Sequence, residues 1–268
     1  MFQGNEEGLF IITIFLKMSK LKIIAVIPAR MGSSRFPGKP MAKLIGKPMI
    51  GHVYDNVKKN NLINELAVAT CDDEIYNYIE SIGGRAVMTS DKHERASDRC
   101  AEALQKIEKE DNINFDIVVM VQGDEPMVHP EMISQAVQPL IDDPNIFITN
   151  LLGHIRDKNE FHDKNTIKVV CDNNHNALYF SREAIPTKSF NNLALGKQVP
   201  IIPFRRDFLI KYNELKPTPL EIAESVDMLR ILEYGMKILM VPTSYDTHAV
   251  DTIEDLNKVQ ILLKRLIV

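Results

Sequence analysis

Several functional classes are ruled out by what the chain lacks. Its three cysteines, Cys71, Cys100 and Cys171, are odd in number, widely spaced and form no Cys-x-x-Cys pair. That argues against a disulfide framework or a structural zinc site, and it places each thiol in or near the core of a protein working in a reducing compartment, the cytoplasm. The seven histidines are scattered with no His-x-x-x-His pair, so a zinc hydrolase or a histidine nucleophile finds little support. Positive charge is not in excess: 32 Lys and Arg against 36 Asp and Glu give a net charge of −4. There is thus no basic footprint for polymeric nucleic acid. The apolar run from Leu9 to Leu16 is too short to span a bilayer, and Glu6 and Glu7 precede it where a secretory signal carries basic residues. No membrane partner is expected.

What is present is an ordinary core-forming composition, 268 residues with 45% hydrophobic content, enough for one large α/β domain. Apolar, β-branched runs at 23–27, 66–70, 117–121, 146–152, 167–171, 199–203 and 237–241 read as strands, several continuous enough to be buried on both faces. Helical spacing of apolar residues marks 49–60, 73–82, 97–109 and 130–141 between the early strands. Alternation over the first 140 or so residues predicts a parallel sheet with helices on both faces and ligands beyond the carboxyl ends of the strands. After residue 145 the alternation breaks down, which predicts antiparallel additions. A helix is expected from Pro217 to about Tyr234, stopped by Gly235, and a last one from Ile253 to Leu266 with Thr252 or Asp251 at its cap.

The most informative stretch follows the first strand. Pro28-Ala29-Arg30-Met31-Gly32-Ser33-Ser34-Arg35-Phe36-Pro37-Gly38-Lys39-Pro40 packs three cations, two serines and two glycines. A buried strand ending in such a loop brings backbone N–H groups and cations to an anion, so the stretch reads as a triphosphate cradle. It is not a P-loop, because no Lys-Ser or Lys-Thr pair closes the glycine window. A merely solvated basic loop is the bland alternative. Asp124 follows the run Ile117 to Val121, at the carboxyl end of a strand, and suits a magnesium ion, which needs one or two carboxylates beside substrate phosphates. Asp251, just before the last helix, reads from its position as a helix cap.

These residues, with Gly46-Lys47-Pro48-Met49-Ile50, Ala67-Val68-Ala69-Thr70, Val121-Gln122-Gly123-Asp124-Glu125-Pro126, Ala177-Leu178-Tyr179-Phe180-Ser181-Arg182 and Val250-Asp251-Thr252, resemble the cytidylyltransferases that activate acidic sugars, in particular the 3-deoxy-manno-octulosonate (Kdo) cytidylyltransferase family. The likeness runs from about residue 21 to 262, leaving residues 1–20 as an extension outside the pattern. The resemblance implies a Rossmann-like nucleotide-diphospho-sugar transferase fold, with a nucleotide-binding half over 21–145 and an acceptor half over 146–268. It implies transfer of CMP from CTP to a sugar hydroxyl for lipopolysaccharide or capsule synthesis, Mg²⁺ as cofactor and a homodimer. Arg30, Arg35, Lys39 and Asp124 are the expected catalytic residues, and Asp124 and Asp251 the expected metal ligands. Ala29, Gly32, Ser33, Ser34, Thr70, Ser97, Asp98, Arg99 and Gln122 join the cations around the nucleotide. Ser97 would also cap the helix that begins there.

For the acceptor the resemblance implies Gln122, Arg182, Gln198, Phe204 and Asp227. Here the chain departs from the family pattern. Gln198, Ile202 and Phe204 stand where the family has His, Tyr and Tyr, and Met228 where it has Gln. Loss of hydroxyl-binding groups should alter sugar preference, so an acidic sugar other than Kdo, or another small anionic acceptor, is the alternative. A nucleotide-binding relative without turnover is disfavoured because the cations and both aspartates are intact. An adaptor role would leave the cradle unexplained.

Overall fold

The computed structural model describes residues 21–32, 35–187 and 195–267. The apolar run in residues 1–20, and the cradle serines Ser33 and Ser34, lie outside the described residues.

Strand β1 (Ile23–Pro28) is buried along its whole length. Its two faces feed different cores: Ile24 and Val26 pack with Cys100 and Leu104, whereas Ile23, Ala25 and Ile27 pack with Val53, Ile133 and Val137. Burial on both faces is why the strand reads as an unbroken apolar run. β1 pairs in parallel with β4 (Glu65–Thr70) and β6 (Ile117–Val121), and β4 with β5 (Arg85–Met88). β11 (Ile201–Arg205) closes the other edge antiparallel to β6, giving the order β11-β6-β1-β4-β5. Helices α1 (Met49–Lys58), α2 (Asp73–Ser81), α3 (Ala96–Asp111) and α4 (Pro130–Asp142) match the helical patterns of the first half. A short hairpin, β2 (Lys43–Leu44) with β3 (Lys47–Pro48), precedes α1.

The second half forms a sheet of order β12-β7-β10-β8-β9, from β7 (Thr149–His154), β8 (Lys168–Cys171), β9 (Ala177–Ser181), β10 (Gly196–Val199) and β12 (Leu239–Pro242). All its pairings are antiparallel except β12 with β7. The strand expected over 199–203 is split at Pro200, where the chain passes from β10 in this sheet to β11 in the first. A small helix α5 (Lys158–His162) follows β7, and α6 (Arg206–Asn213) follows β11 directly.

The single helix expected from Pro217 to Tyr234 is two, α7 (Pro219–Glu224) and α8 (Met228–Glu233). Ser225 at φ 53 breaks it. The break folds α8 back on α7, so that Arg230 donates Nε and Nη2 to the two carboxylate oxygens of Glu221 at 2.6 Å each, both side chains buried. Gly235, at φ 74, ends α8 in the left-handed conformation that glycine tolerates. The last helix, α9 (Ile253–Ile267), is capped by Thr252, whose Oγ1 accepts the Asp255 N–H at 3.2 Å. All three cysteines are free; Cys100 is buried and the others half-buried.

Candidate functional site

The cradle begins at the carboxyl end of β1. Ala29 still donates to Ala69 O at 2.9 Å, and the Met31 N–H is held by Asp72 Oδ2 at 2.8 Å, which ties the loop to the end of β4. Gly38 donates back to Met31 O at 3.0 Å, and its φ of 73 turns the chain into the 3-10 turn Lys39–Met41. A residue with a Cβ would strain that turn. Buried Pro40 fixes the base of Lys39.

From there Lys39 reaches between two carboxylates, with Nζ 2.9 Å from Asp124 Oδ2 and 3.2 Å from Asp251 Oδ1. Arg35 Nη2 lies 3.0 Å from the same Asp251 oxygen and also contacts Asn165. Burial works to lower the Lys39 pKa, yet the Asp124 and Asp251 charges prevail and hold it above its ordinary value. A backbone bond from Val250 N to Asp124 O, 2.9 Å, locks the two aspartate-bearing segments together. Because Thr252 caps α9, the Asp251 carboxylate is left for the cations. Burial and the charge of Asp124 push the neighbouring Glu125 carboxyl up to about 8, against the pull of Lys197.

Beside this cluster opens a cavity of about 820 Å³, to which Arg35, Gln122, Asp124, Asp251, Arg182, Gln198 and Asp227 contribute. Met120, Ile202 and Met228 supply an apolar part of its wall. Arg182 spends its guanidinium on backbone carbonyls, Nε on Glu224 O at 2.8 Å and Nη1 on Lys164 O at 3.0 Å. Asp227 accepts from Ser97 Oγ at 3.2 Å, and its pKa is raised, chiefly by burial.

Other expected residues lie elsewhere. Arg30 and Gly32 are exposed on the cradle rim and Ala29 is buried at its root. Thr70 is fully buried, its hydroxyl accepting the Asp72 N–H at 3.1 Å. Arg99 is buried on α3 with Nη1 on Thr89 Oγ1 at 2.5 Å, and among the described residues its Nη2 has no hydrogen-bond partner. Asp98 is half-buried on the first turn of the same helix. Ser97 is not the cap of α3: the helix starts at Ala96, so Ser97 falls inside the first turn and turns its hydroxyl to Asp227.

Phe204 requires a correction. It is fully buried and stacks on Tyr212 at 6.3 Å, in the core beneath β11, so it does not line this cavity. Ile202, on the same face of β11, does. Three organising residues were not anticipated: Asp72 under the cradle, Glu224 clasping Arg182 through its N–H at 2.8 Å, and Asn150 behind Gln198. Asp72 carried a usable signal, an acid two residues past the end of a strand; the other two act across sheet and helix contacts that sequence spacing does not encode.

The donor set fits a hard divalent cation. Two carboxylates converge on one cationic position, and magnesium completes its shell with phosphate oxygens and water. Among the described residues no cluster of three or more His, Cys, Asp or Glu could hold a metal ion by itself, so substrate oxygens would have to contribute.

Residues 24–238 match the family described as Cytidylyltransferase. The chain belongs to that family. It is 42% identical to the 3-deoxy-manno-octulosonate cytidylyltransferase of Geobacter metallireducens, over 91% of this chain and 99% of that one. Its identity to the enzyme of the same name from Syntrophus aciditrophicus is 43%, over 90% and 97% of the two chains. Among solved structures, a CMP:2-keto-3-deoxy-manno-octonic acid synthetase complexed with CTP superposes with a TM-score of 0.82 at 37% identity, covering 91% of this chain and 99% of that one. In this chain the cation and carboxylate cluster lies past the carboxyl ends of β1 and β6, beside the cavity of about 820 Å³.

Proposed function

We propose that the protein transfers CMP from CTP to the hydroxyl of Kdo, releasing pyrophosphate, and so activates the sugar for lipopolysaccharide or capsule synthesis. The observation that carries this reading is the meeting of Lys39, Arg35, Asp124 and Asp251 beside a polar cavity. In the reaction the sugar hydroxyl attacks the α-phosphorus of CTP, a new P–O bond forms, and the bond to the β-phosphate oxygen breaks. Negative charge grows on the phosphate oxygens, so catalysis is positioning and neutralisation.

Lys39 and Arg35 would exchange their aspartate partners for phosphate oxygens, and Arg30 on the rim would meet the distal phosphates. Asp124 and Asp251, released from Lys39, would hold Mg²⁺. When bound, that ion would supply Lewis-acid neutralisation of the phosphates. Gln122 and Gln198 would face the sugar, while Arg182, tied to backbone carbonyls, would shape the wall and add positive potential for an acidic acceptor.

A second reading is favoured by the apolar wall of Met120, Ile202 and Met228: the acceptor is an acidic sugar less hydroxylated than Kdo on that side, because buried hydroxyls without partners are penalised. Incubating the protein with CTP, Mg²⁺ and a panel of acidic sugars, while following pyrophosphate and the CMP-sugar, tests both. Kdo as the best acceptor supports the first reading, a deoxy or amino acidic sugar the second, and no product with any acceptor refutes both. We take the working state to be a cytoplasmic homodimer, which sedimentation of the purified protein would check.

A further inference from the structure

We infer that Asn150 fixes the Gln198 side chain so that it offers the acceptor sugar only a hydrogen-bond-accepting oxygen, making Gln198 a selector for a donor group, a hydroxyl or an amine, at one position of that sugar. The inference rests on the transfer reading above and adds the polarity of one contact.

The argument starts where the chain changes sheets. Asn150, fully buried on β7, sends Nδ2 to Val199 O at 2.6 Å and to Ile201 O at 3.4 Å, on the two sides of Pro200. A third carbonyl, Leu151 O, lies 3.3 Å from the same nitrogen. Carbonyls only accept, so the NH₂ end of Asn150 must face them and Oδ1 must face the other way. The amide orientation is therefore dictated by the backbone. Gln198 Nε2 lies 2.7 Å from that Oδ1. Only an N–H can satisfy it, so the Gln198 amide is oriented in turn, and Oε1 remains as its other end.

Gln198 is half-buried and lines the cavity, and among the described residues its Oε1 has no hydrogen-bond partner. An untethered glutamine can present either end of its amide to a ligand. This one cannot turn without setting two oxygens against each other, an arrangement that leaves a buried acceptor unpaired. Asn150 is a positioning residue, and Gln198 reads the sugar.

A substrate-by-variant cycle tests this. Acceptor analogues in which each hydroxyl in turn is replaced by fluorine or by hydrogen are assayed for kcat/KM with wild type and with Gln198→Met, a near-isostere lacking the oxygen. At one sugar position the fluoro and deoxy analogues should lose about tenfold or more with wild type, and an amino group there should be tolerated. With Gln198→Met the same replacements should cost less than about threefold, while the KM for CTP is unchanged. Equal losses in both proteins at every position would overturn the inference. Asn150→Thr, which shortens the tether, should let the amide turn and reduce the penalty against fluorine; if that variant does not fold, the Gln198→Met cycle decides alone. Failure of the wild type to transfer CMP to any acidic sugar would overturn the parent reading and this one with it.

Discussion

The two sides of the cavity spend their cations differently. On the cradle side, Lys39 and Arg35 are paired with the carboxylates of Asp124 and Asp251. Those partners can be exchanged, since a phosphate can take the cations and a dication the carboxylates. On the opposite side, where the acceptor is proposed to bind, Arg182 is bound to the carbonyls of Glu224, Lys164 and Ser225. Buried Lys168 likewise donates to Asp163 O, Thr166 O and Arg182 O at 2.8, 2.6 and 2.5 Å. Backbone carbonyls cannot leave. The cradle is thus poised for ligand exchange, whereas Arg182 and Lys168 brace loops on the other side.

The largest effect should come from the exchangeable side. Lys39→Met should fold normally and lose about a hundredfold or more in kcat, the usual cost of removing one group that stabilises transition-state charge. It should also bind Mn²⁺ more tightly than wild type in the absence of nucleotide, because the ammonium no longer occupies the position between Asp124 and Asp251. Titration followed by electron paramagnetic resonance reads this directly. Unchanged turnover would reduce the cradle to a basic surface loop, and unchanged Mn²⁺ affinity would remove the shared position.

Lys168→Met probes the fixed side. Three carbonyls lose their donor, and the protein should lose about 1 to 3 kcal/mol of stability in urea unfolding. The acceptor KM should rise with it while the CTP KM holds. A variant as stable as wild type, or one that weakens CTP and acceptor alike, would erase the distinction between the two sides. A smaller change is expected from Met228→Gln, which adds a polar group to the apolar wall and should shift the preference between hydroxylated and deoxygenated acceptors by about tenfold. Competition between two acceptors in one reaction measures that ratio, and an unaltered ratio would show that Met228 is only packing.

The same contrast governs what could be read in the sequence. Strands β1, β4 and β6 lie inside a mostly parallel sheet with helices on both faces, so their apolar runs are uninterrupted and all three were legible. β5 and β9 were missed. β5 is a short strand with half-buried ends, Arg85 and Met88, and β9 mixes exposed Leu178 with buried Phe180 at the free edge of the second sheet. The break at Ser225 was invisible because a serine rarely adopts φ 53 without tertiary support, here the buried Glu221–Arg230 pair.

In the site, the cradle cations cluster in sequence and Asp124 follows the end of β6, whereas Asp251 stood out only through the family resemblance. The capping alternative for Asp251 is settled only by the Asp255 N–H to Thr252 Oγ1 bond. Phe204 was misplaced because alternation along β11 tells which face a residue takes, but not how far along that face the cavity extends. Asn150 is silent in the sequence, since its role lies in the direction of two amides.

The finest test concerns Asp227, a carboxylate on the fixed side with weak support. Arg95 Nε is 3.7 Å away and Ser97 Oγ 3.2 Å. Burial is the largest influence and raises its pKa above the ordinary value of 3.8, although Arg95 and Ser97 both work to lower it. A raised carboxyl binds its proton more readily in the folded than in the unfolded state, so its contribution to stability falls as pH rises from the unfolded value through the folded one. At neutral pH it is a net cost. Asp227→Asn keeps the shape and an oxygen for Ser97 while removing that cost, so its urea midpoint should equal or exceed that of wild type at pH 7. The gap should narrow towards pH 4, where the wild-type carboxyl is increasingly protonated in both states. A wild type more stable than the variant at pH 7, with its advantage shrinking on acidification, would mean that Arg95 outweighs burial and that Asp227 belongs with the charge-held carboxylates of the cradle.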